Sequence, residues 1–100
     1  MQSCAQIIRL TVLCDRGKYI SPNRINVPAK LLKKIRSYIF ESDRSIFMFA
    51  ELFERFRKEL MEKSNITNRY FLQGVLKYYY AEDFFYSRIL LIKIIIVNLL

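Results

Sequence analysis

The sequence predicts a mainly α fold with short β segments: an α+β domain with a three-helix core, an N-terminal strand and a C-terminal β and apolar tail. Three observations predict it. Apolar residues recur at helical spacing in three separate stretches. Turn-forming and helix-breaking residues divide those stretches. The ends of the chain are rich in the residue types that favour strands, most clearly the Ile/Val run from Ile89 onward.

Taken in order, residues 7–13 alternate loosely, with Ile8, Leu10 and Val12 on one face, which is a strand pattern. Asp15-Arg16-Gly17-Lys18 is a turn in which Gly17 can take positive φ. Residues 19–27 are polar, carry Pro22 and Asn23, and read as a connector. The first helix opens at Pro28, whose missing N–H costs nothing in a first turn. Leu31, Leu32, Ile35, Tyr38 and Ile39 share its apolar face, and Glu41-Ser42-Asp43-Arg44 closes it. Residues 45–48 read as a short strand. A second helix, over 49–63, buries Phe49, Leu52, Phe53, Phe56 and Leu60. Its pairs Glu51/Arg55 and Glu54/Lys58 stand at i,i+4 in the favourable order and predict a self-neutralised outer face. Ser64-Asn65-Ile66-Thr67 breaks the pattern, and Asn65 or Thr67 can cap a third helix over 68–80. Leu72, Val75, Leu76 and Tyr79 form its apolar side. Ala81-Glu82-Asp83 is an acidic connector into an aromatic strand at 84–89. The chain thus divides into an N-terminal strand and connector (1–27), a three-helix domain (28–90) and an apolar tail (91–100), without internal repeats.

One hundred residues allow one domain, and 53% hydrophobic content supplies ample core. The absence of histidine removes imidazole as base, proton shuttle or metal ligand. Cys4 and Cys14 match neither a zinc pattern nor a disulfide framework. No Gly-rich phosphate loop and no nucleophile with a base is present, so the expectation is a non-enzyme with no metal, cofactor or small-molecule substrate. The N-terminus lacks a basic leader and a small-residue cleavage site, so no secretory signal is expected and the location is cytoplasmic. Leu13 is too large to precede a lipidated cysteine at Cys14. The C-terminal run ILLIKIIIVNLL is shorter than the about 20 residues a membrane helix needs, and Arg88 and Lys93 interrupt it. It reads as a buried strand or the remnant of a truncated frame, with weak membrane association as the lesser alternative.

A formal net charge of +8 favours a polyanionic partner. The charge is uneven: residues 16–44 hold eight basic residues against Glu41 and Asp43. Lys30, Lys33, Lys34 and Arg36 are its densest cluster and suit a phosphate backbone; the competing expectation is a solvated helix face. On the third helix Arg69, Gln73 and Lys77 project in one row, where Arg and Lys can pair with phosphates or guanine edges and Gln with adenine. Gly74 permits close approach of another backbone, whether nucleic acid or a neighbouring element. An ordinary solvent-facing helix side accounts for the same residues. Tyr78-Tyr79-Tyr80 and Phe84-Phe85-Tyr86 are read as core, with base stacking as the alternative.

From Pro28 onward the order is helix, short strand, helix, turn, helix, strand. This order resembles a winged-helix domain, a helix-turn-helix variant whose third helix reads DNA. The stretch Ile46-Phe47-Met48-Phe49-Ala50-Glu51-Leu52-Phe53-Glu54-Arg55-Phe56 is similar to the short strand and second helix of HARE-type winged-helix domains, such as that of the RNA polymerase delta subunit. Asn68-Arg69-Tyr70-Phe71-Leu72-Gln73-Gly74-Val75-Leu76-Lys77-Tyr78 falls at the third helix. The resemblance covers about residues 28–90. It implies a transcription-associated module that binds duplex DNA, or docks on a protein partner, with Arg69, Gln73 and Lys77 toward the groove and Lys30, Lys33, Lys34 and Arg36 on the backbone. Two departures stand out. No Gly, Pro or Asn lies between Phe84 and Val97 to turn a wing hairpin, so an incomplete wing is expected. The turn between the second and third helices is also long. A non-enzymatic interaction domain, or a fragment of a larger protein, is the competing expectation.

Overall fold

The computed structural model describes residues 11–94. The expected strand positions 7–10 and tail positions 95–100 lie outside the described residues. The chain adopts the α+β class its patterning predicts. β1 (Val12–Asp15) and β2 (Lys18–Ile20) form an antiparallel hairpin. A 3-10 turn (Pro22–Arg24) leads to α1 (Ala29–Glu41), β3 (Ile46–Met48), α2 (Phe49–Lys63), α3 (Arg69–Tyr79), β4 (Phe84–Tyr86) and β5 (Leu90–Lys93). The second sheet is antiparallel in the order β3-β5-β4, so the last strand threads between the other two.

The three helical stripes meet in one core. Leu31, Leu32, Ile35 and Ile39 from α1 pack with Phe49, Leu52, Phe53, Phe56 and Leu60 from α2 and with Phe71, Leu72, Val75 and Leu76 from α3. Phe47, Leu91 and Phe84 close it from the sheet. Val12 belongs to the same core, so the β1–β2 hairpin shares the helices' packing. Burying such side chains contributes roughly 1.5–3 kcal/mol each against leaving them in water.

Several local expectations are corrected. Pro28 stands at the N-cap rather than the first helical position, its carbonyl accepting from the N–H groups of Leu31 and Leu32. α3 is capped by Asn68, whose Oδ1 accepts from Phe71 N–H at 2.9 Å. Asn65 is occupied elsewhere: its Nδ2 donates to the Arg24 carbonyl and its Oδ1 accepts from Asn26 N–H, tying the connector to the α2–α3 turn. Lys18 of the expected turn and residues 19–20 of the expected connector are β2, because Gly17, at φ 70°, turns them back onto β1.

The charge pairs on α2 are also rearranged. Glu51 meets Arg44 at 2.9 Å, Glu54 meets Arg57 at 3.6 Å, and the Arg55 guanidinium lies 4.4 Å over the Tyr38 ring. The α2 carboxylates therefore brace neighbouring elements more than they neutralise their own helix. Tyr79 is exposed, where a core position was expected, and Phe71 is buried in its stead. β1 packs on the Gly74 side of α3.

The hairpin expected to fail is formed. β4 and β5 are joined through Arg88-Ile89, flanked by Ser87 and Leu90. Two-residue hairpin turns usually need positive φ, yet no described non-glycine residue adopts it. Ser87 compensates. Its N–H donates to the Leu90 carbonyl at 2.8 Å, and its hydroxyl accepts from Leu90 N–H at 3.0 Å. The Ser87 carbonyl accepts instead from Gln73 Nε2 at 3.0 Å.

Candidate nucleic-acid interface

α3 exposes only a narrow arc. Phe71, Leu72, Val75 and Leu76 face the core, and Gly74 faces β1. A Cβ at position 74 would collide with the Leu13 backbone, standing 2.8 Å from its nitrogen. The close approach that Gly74 permits is therefore made by the protein's own β1. Asn68 reinforces this junction, its Nδ2 donating to the Cys14 carbonyl at 3.0 Å. What remains open is the row Arg69, Gln73 and Lys77, with Tyr70 beside it at the start of the helix and Tyr78 and Tyr79 at its end.

The members of that row differ in freedom. Arg69 and Lys77 are exposed, and among the described residues no carboxylate lies at salt-bridge distance from either. Arg69 donates from Nη2 to the Tyr70 hydroxyl at 3.2 Å, with its guanidinium 5.1 Å from that ring's centre. The hydrogen bond and positive charge of Arg69 make the Tyr70 hydroxyl more acidic than an ordinary phenol. Gln73 is half-buried and its amide nitrogen is committed to Ser87, so the bidentate adenine contact expected of it requires that bond to break.

The basic cluster on α1 divides in the same way. Lys30 and Lys33 are exposed. Lys34 Nζ pairs with Glu59 at 2.8 Å and holds that carboxyl below its ordinary range. Arg36 pairs with Asp83 at 3.0 Å and lies over the rings of Phe40 and Tyr80. Sequence spacing places all four bases on one helix but cannot show which ones neighbouring elements neutralise. Arg36 braces the connector after α3, and Lys34 bridges α1 to α2.

The aromatic residues near the end of α3 do not all enter the core. Phe84 is buried, whereas Tyr78, Tyr79 and Phe85 are exposed. Tyr86 is half-buried, and its hydroxyl lies 2.9 Å from the Leu76 carbonyl and 2.8 Å from that of Tyr80, binding β4 to the C-terminal turn of α3.

The main site that sequence reasoning missed lies at the N-terminal half of α3. Arg16 from the β1–β2 turn, Arg69 from α3 and Arg88 from the β4–β5 turn line a single open cleft of about 720 Å³, together with Tyr19, Tyr70 and Gln73. Its lining contains no carboxylate. Arg16 was visible only as part of a basic stretch and Arg88 only as an interruption of an apolar run. The β1–β2 hairpin, seated on α3 at Gly74, and the β4–β5 turn, fastened to Gln73, bring them together.

Among the described residues no helix is long and apolar enough to cross a membrane. No family model, curated protein or solved structure matches this chain.

Proposed function

We propose that the chain is a non-enzymatic module of winged-helix type that binds duplex DNA, with α3 as the helix presented to the nucleic acid and the β4–β5 hairpin as its wing. One observation carries the reading: Arg69 and Lys77 project from α3 on the side away from the core, with no carboxylate at salt-bridge distance among the described residues. The order helix, strand, helix, helix, hairpin and the sheet order β3-β5-β4 support it. Lys30 and Lys33 add backbone contacts in this reading, whereas Lys34 and Arg36 serve the fold. A cytoplasmic place of action belongs to the same proposal.

The test is duplex binding by fluorescence anisotropy across a salt series. Affinity is expected to fall steeply with salt, since each phosphate neutralised contributes about −0.9 to the log–log slope. Arg69→Ala combined with Lys77→Ala should remove most of the binding and flatten the slope by about two. Binding indifferent to salt, or absent at low salt, overturns the reading.

A second reading, a protein-interaction module, is favoured by the outer face of the β3-β5-β4 sheet, where Ile46, Met48 and Phe85 are exposed together. A defined oligomer by light scattering, with no affinity for nucleic acid, would select it.

A further inference from the structure

We propose that the cleft between the β1–β2 turn, the start of α3 and the β4–β5 turn is a phosphate-binding site, with Arg16, Arg69 and Arg88 as its ligands. This deepens the DNA-binding reading and rests on it for the identity of the ligand's carrier: the β1–β2 hairpin becomes a second clamp, besides the wing, on the backbone that α3 meets.

Three arginines far apart in sequence converge on one cleft whose lining holds no acid. Bringing like charges together disfavours the folded state unless something compensates them. Of the described arginines outside the cleft, Arg36, Arg44 and Arg57 each reach a carboxylate, and Arg24 and Arg55 do not. Among the described residues none of the cleft arginines does. The nearest acid by sequence, Asp15, accepts from the Arg16 backbone N–H at 2.7 Å and is not part of the lining, although its charge reaches the Tyr70 hydroxyl beside Arg69. An anionic ligand would supply the counter-charge that the lining lacks. Guanidinium groups favour oxyanions that accept paired, parallel hydrogen bonds, which makes phosphate the fitting chemistry.

The site is also held in place before any ligand arrives. Arg69 is steadied by the Tyr70 hydroxyl and ring. Gly17, at φ 70°, shapes the turn that carries Arg16, and the contact of Leu13 with Gly74 seats that hairpin on α3. The turn carrying Arg88 is fastened by Gln73 to Ser87. Fixing the two turns and the Arg69 side chain lowers the ordering cost of binding. Two sources supply the same chemistry: an internucleotide phosphodiester and a free or terminal phosphate monoester.

The experiment uses the whole chain. Arginine Nε–Hε signals are followed by NMR while inorganic phosphate is added. Arg16, Arg69 and Arg88 are expected to shift together along one saturable curve, while Arg55, stacked on Tyr38, stays in place. In parallel, duplexes with and without a 5′-phosphate are titrated against Arg16→Ala, Arg88→Ala and Arg16→Lys. Each alanine variant should weaken binding roughly 5–10-fold at low salt and flatten the salt slope by about one. Arg16→Lys should keep the slope but lose affinity, because the charge remains and the planar fork does not. Thermal melts confirm that the variants fold, and Arg57→Ala serves as the surface control. Equal affinity with and without the 5′-phosphate assigns the site to the backbone, and a preference for the phosphorylated duplex assigns it to a monoester. If duplex binding depends on Arg69 and Lys77 but ignores Arg16, and phosphate gives no saturable shift, the cleft proposal falls while the DNA reading stands. If phosphate shifts all three arginines but no duplex binds, the cleft stands and the DNA reading falls.

Discussion

Gln73 of α3 donates its side-chain amide to the main-chain carbonyl of Ser87 at 3.0 Å, across the gap between the helix and the β4–β5 turn. In a regular hairpin that carbonyl accepts from the facing strand. Here Leu90 N–H has gone to the Ser87 hydroxyl, which leaves the carbonyl open to another donor. A turn with no glycine and no positive φ is thus completed by a residue from another element.

Gln73→Ala is expected to destabilise the protein by about 1 kcal/mol, the typical net value of one hydrogen bond. The loss should be local. Amide exchange at Leu90 should accelerate more than at buried α2 positions such as Leu52, and an even acceleration across both would argue against the turn-fastening role.

The two glycines should respond differently. Gly74→Ala places a methyl group against the Leu13 backbone. It should cost about 2 kcal/mol or more despite the roughly 1 kcal/mol that alanine gains in a helix. At Gly17 a Cβ would meet nothing within 4 Å, so the cost of Gly17→Ala is the positive φ alone, roughly 1–2 kcal/mol. Urea unfolding of both variants checks the order.

Tyr86 is expected to contribute to alkaline stability. Burial holds its hydroxyl well above the ordinary phenol range, with Asp83 and Tyr80 adding to the shift. A pKa raised in the folded state means that its contribution is complete below the unfolded value near 10 and is lost as pH rises beyond it. Tyr86→Phe should therefore lose about 1 kcal/mol at neutral pH, with its bonds to Leu76 and Tyr80, and should show a shallower decline above pH 10. Melts at pH 7 and pH 11 test both parts.

At the acid end, Arg44 depresses the Glu51 pKa and Lys34 that of Glu59. A depressed carboxyl contributes stability above its unfolded pKa, about 4.3, and loses it as pH falls through the folded one. Stability should decline below about pH 4.5, and the step should shrink in a Glu51→Gln, Glu59→Gln double variant. Both pairs are solvent-exposed, so the effect is expected to be modest and to weaken further in high salt.

Arg36 and Arg69 provide a direct contrast between a fold-bracing and a ligand-facing arginine. Arg36→Ala removes its pairing with Asp83 and its stacking on Phe40 and Tyr80, and should cost about 1 kcal/mol of stability while leaving duplex affinity within about twofold. Arg69→Ala should leave stability nearly unchanged and reduce affinity. Paired denaturation and anisotropy measurements separate the two roles, and the reverse pattern would exchange their assignments.

Much of the fold was legible because helical periodicity is a local code. The stripes led by Ile35 and Leu52 are buried as their spacing implies, and α3 departs from its expected stripe at Phe71 and Tyr79. Asp15-Arg16-Gly17-Lys18 turned where its chemistry required. Ile66, fully buried between α2 and α3, was hidden in a segment that reads as polar. The pairings of Glu51 with Arg44 and Glu59 with Lys34 were hidden because long side chains choose partners by distance in space.

The residues alone determined the α+β class, the three helices with most of their inward faces, and an excess of positive charge. These follow from short-range rules, since the apolar side of a helix must be covered and neighbours along the chain define that side. Tertiary structure alone decided which bases remain free, what Gly74 admits, and how a hairpin closes without a turn-forming residue. Each depends on segments remote in sequence: Leu13 against Gly74, Gln73 against Ser87, and Arg16 with Arg69 and Arg88 around one cleft. No local pattern encodes such meetings, because they come into being only when packing brings the segments together.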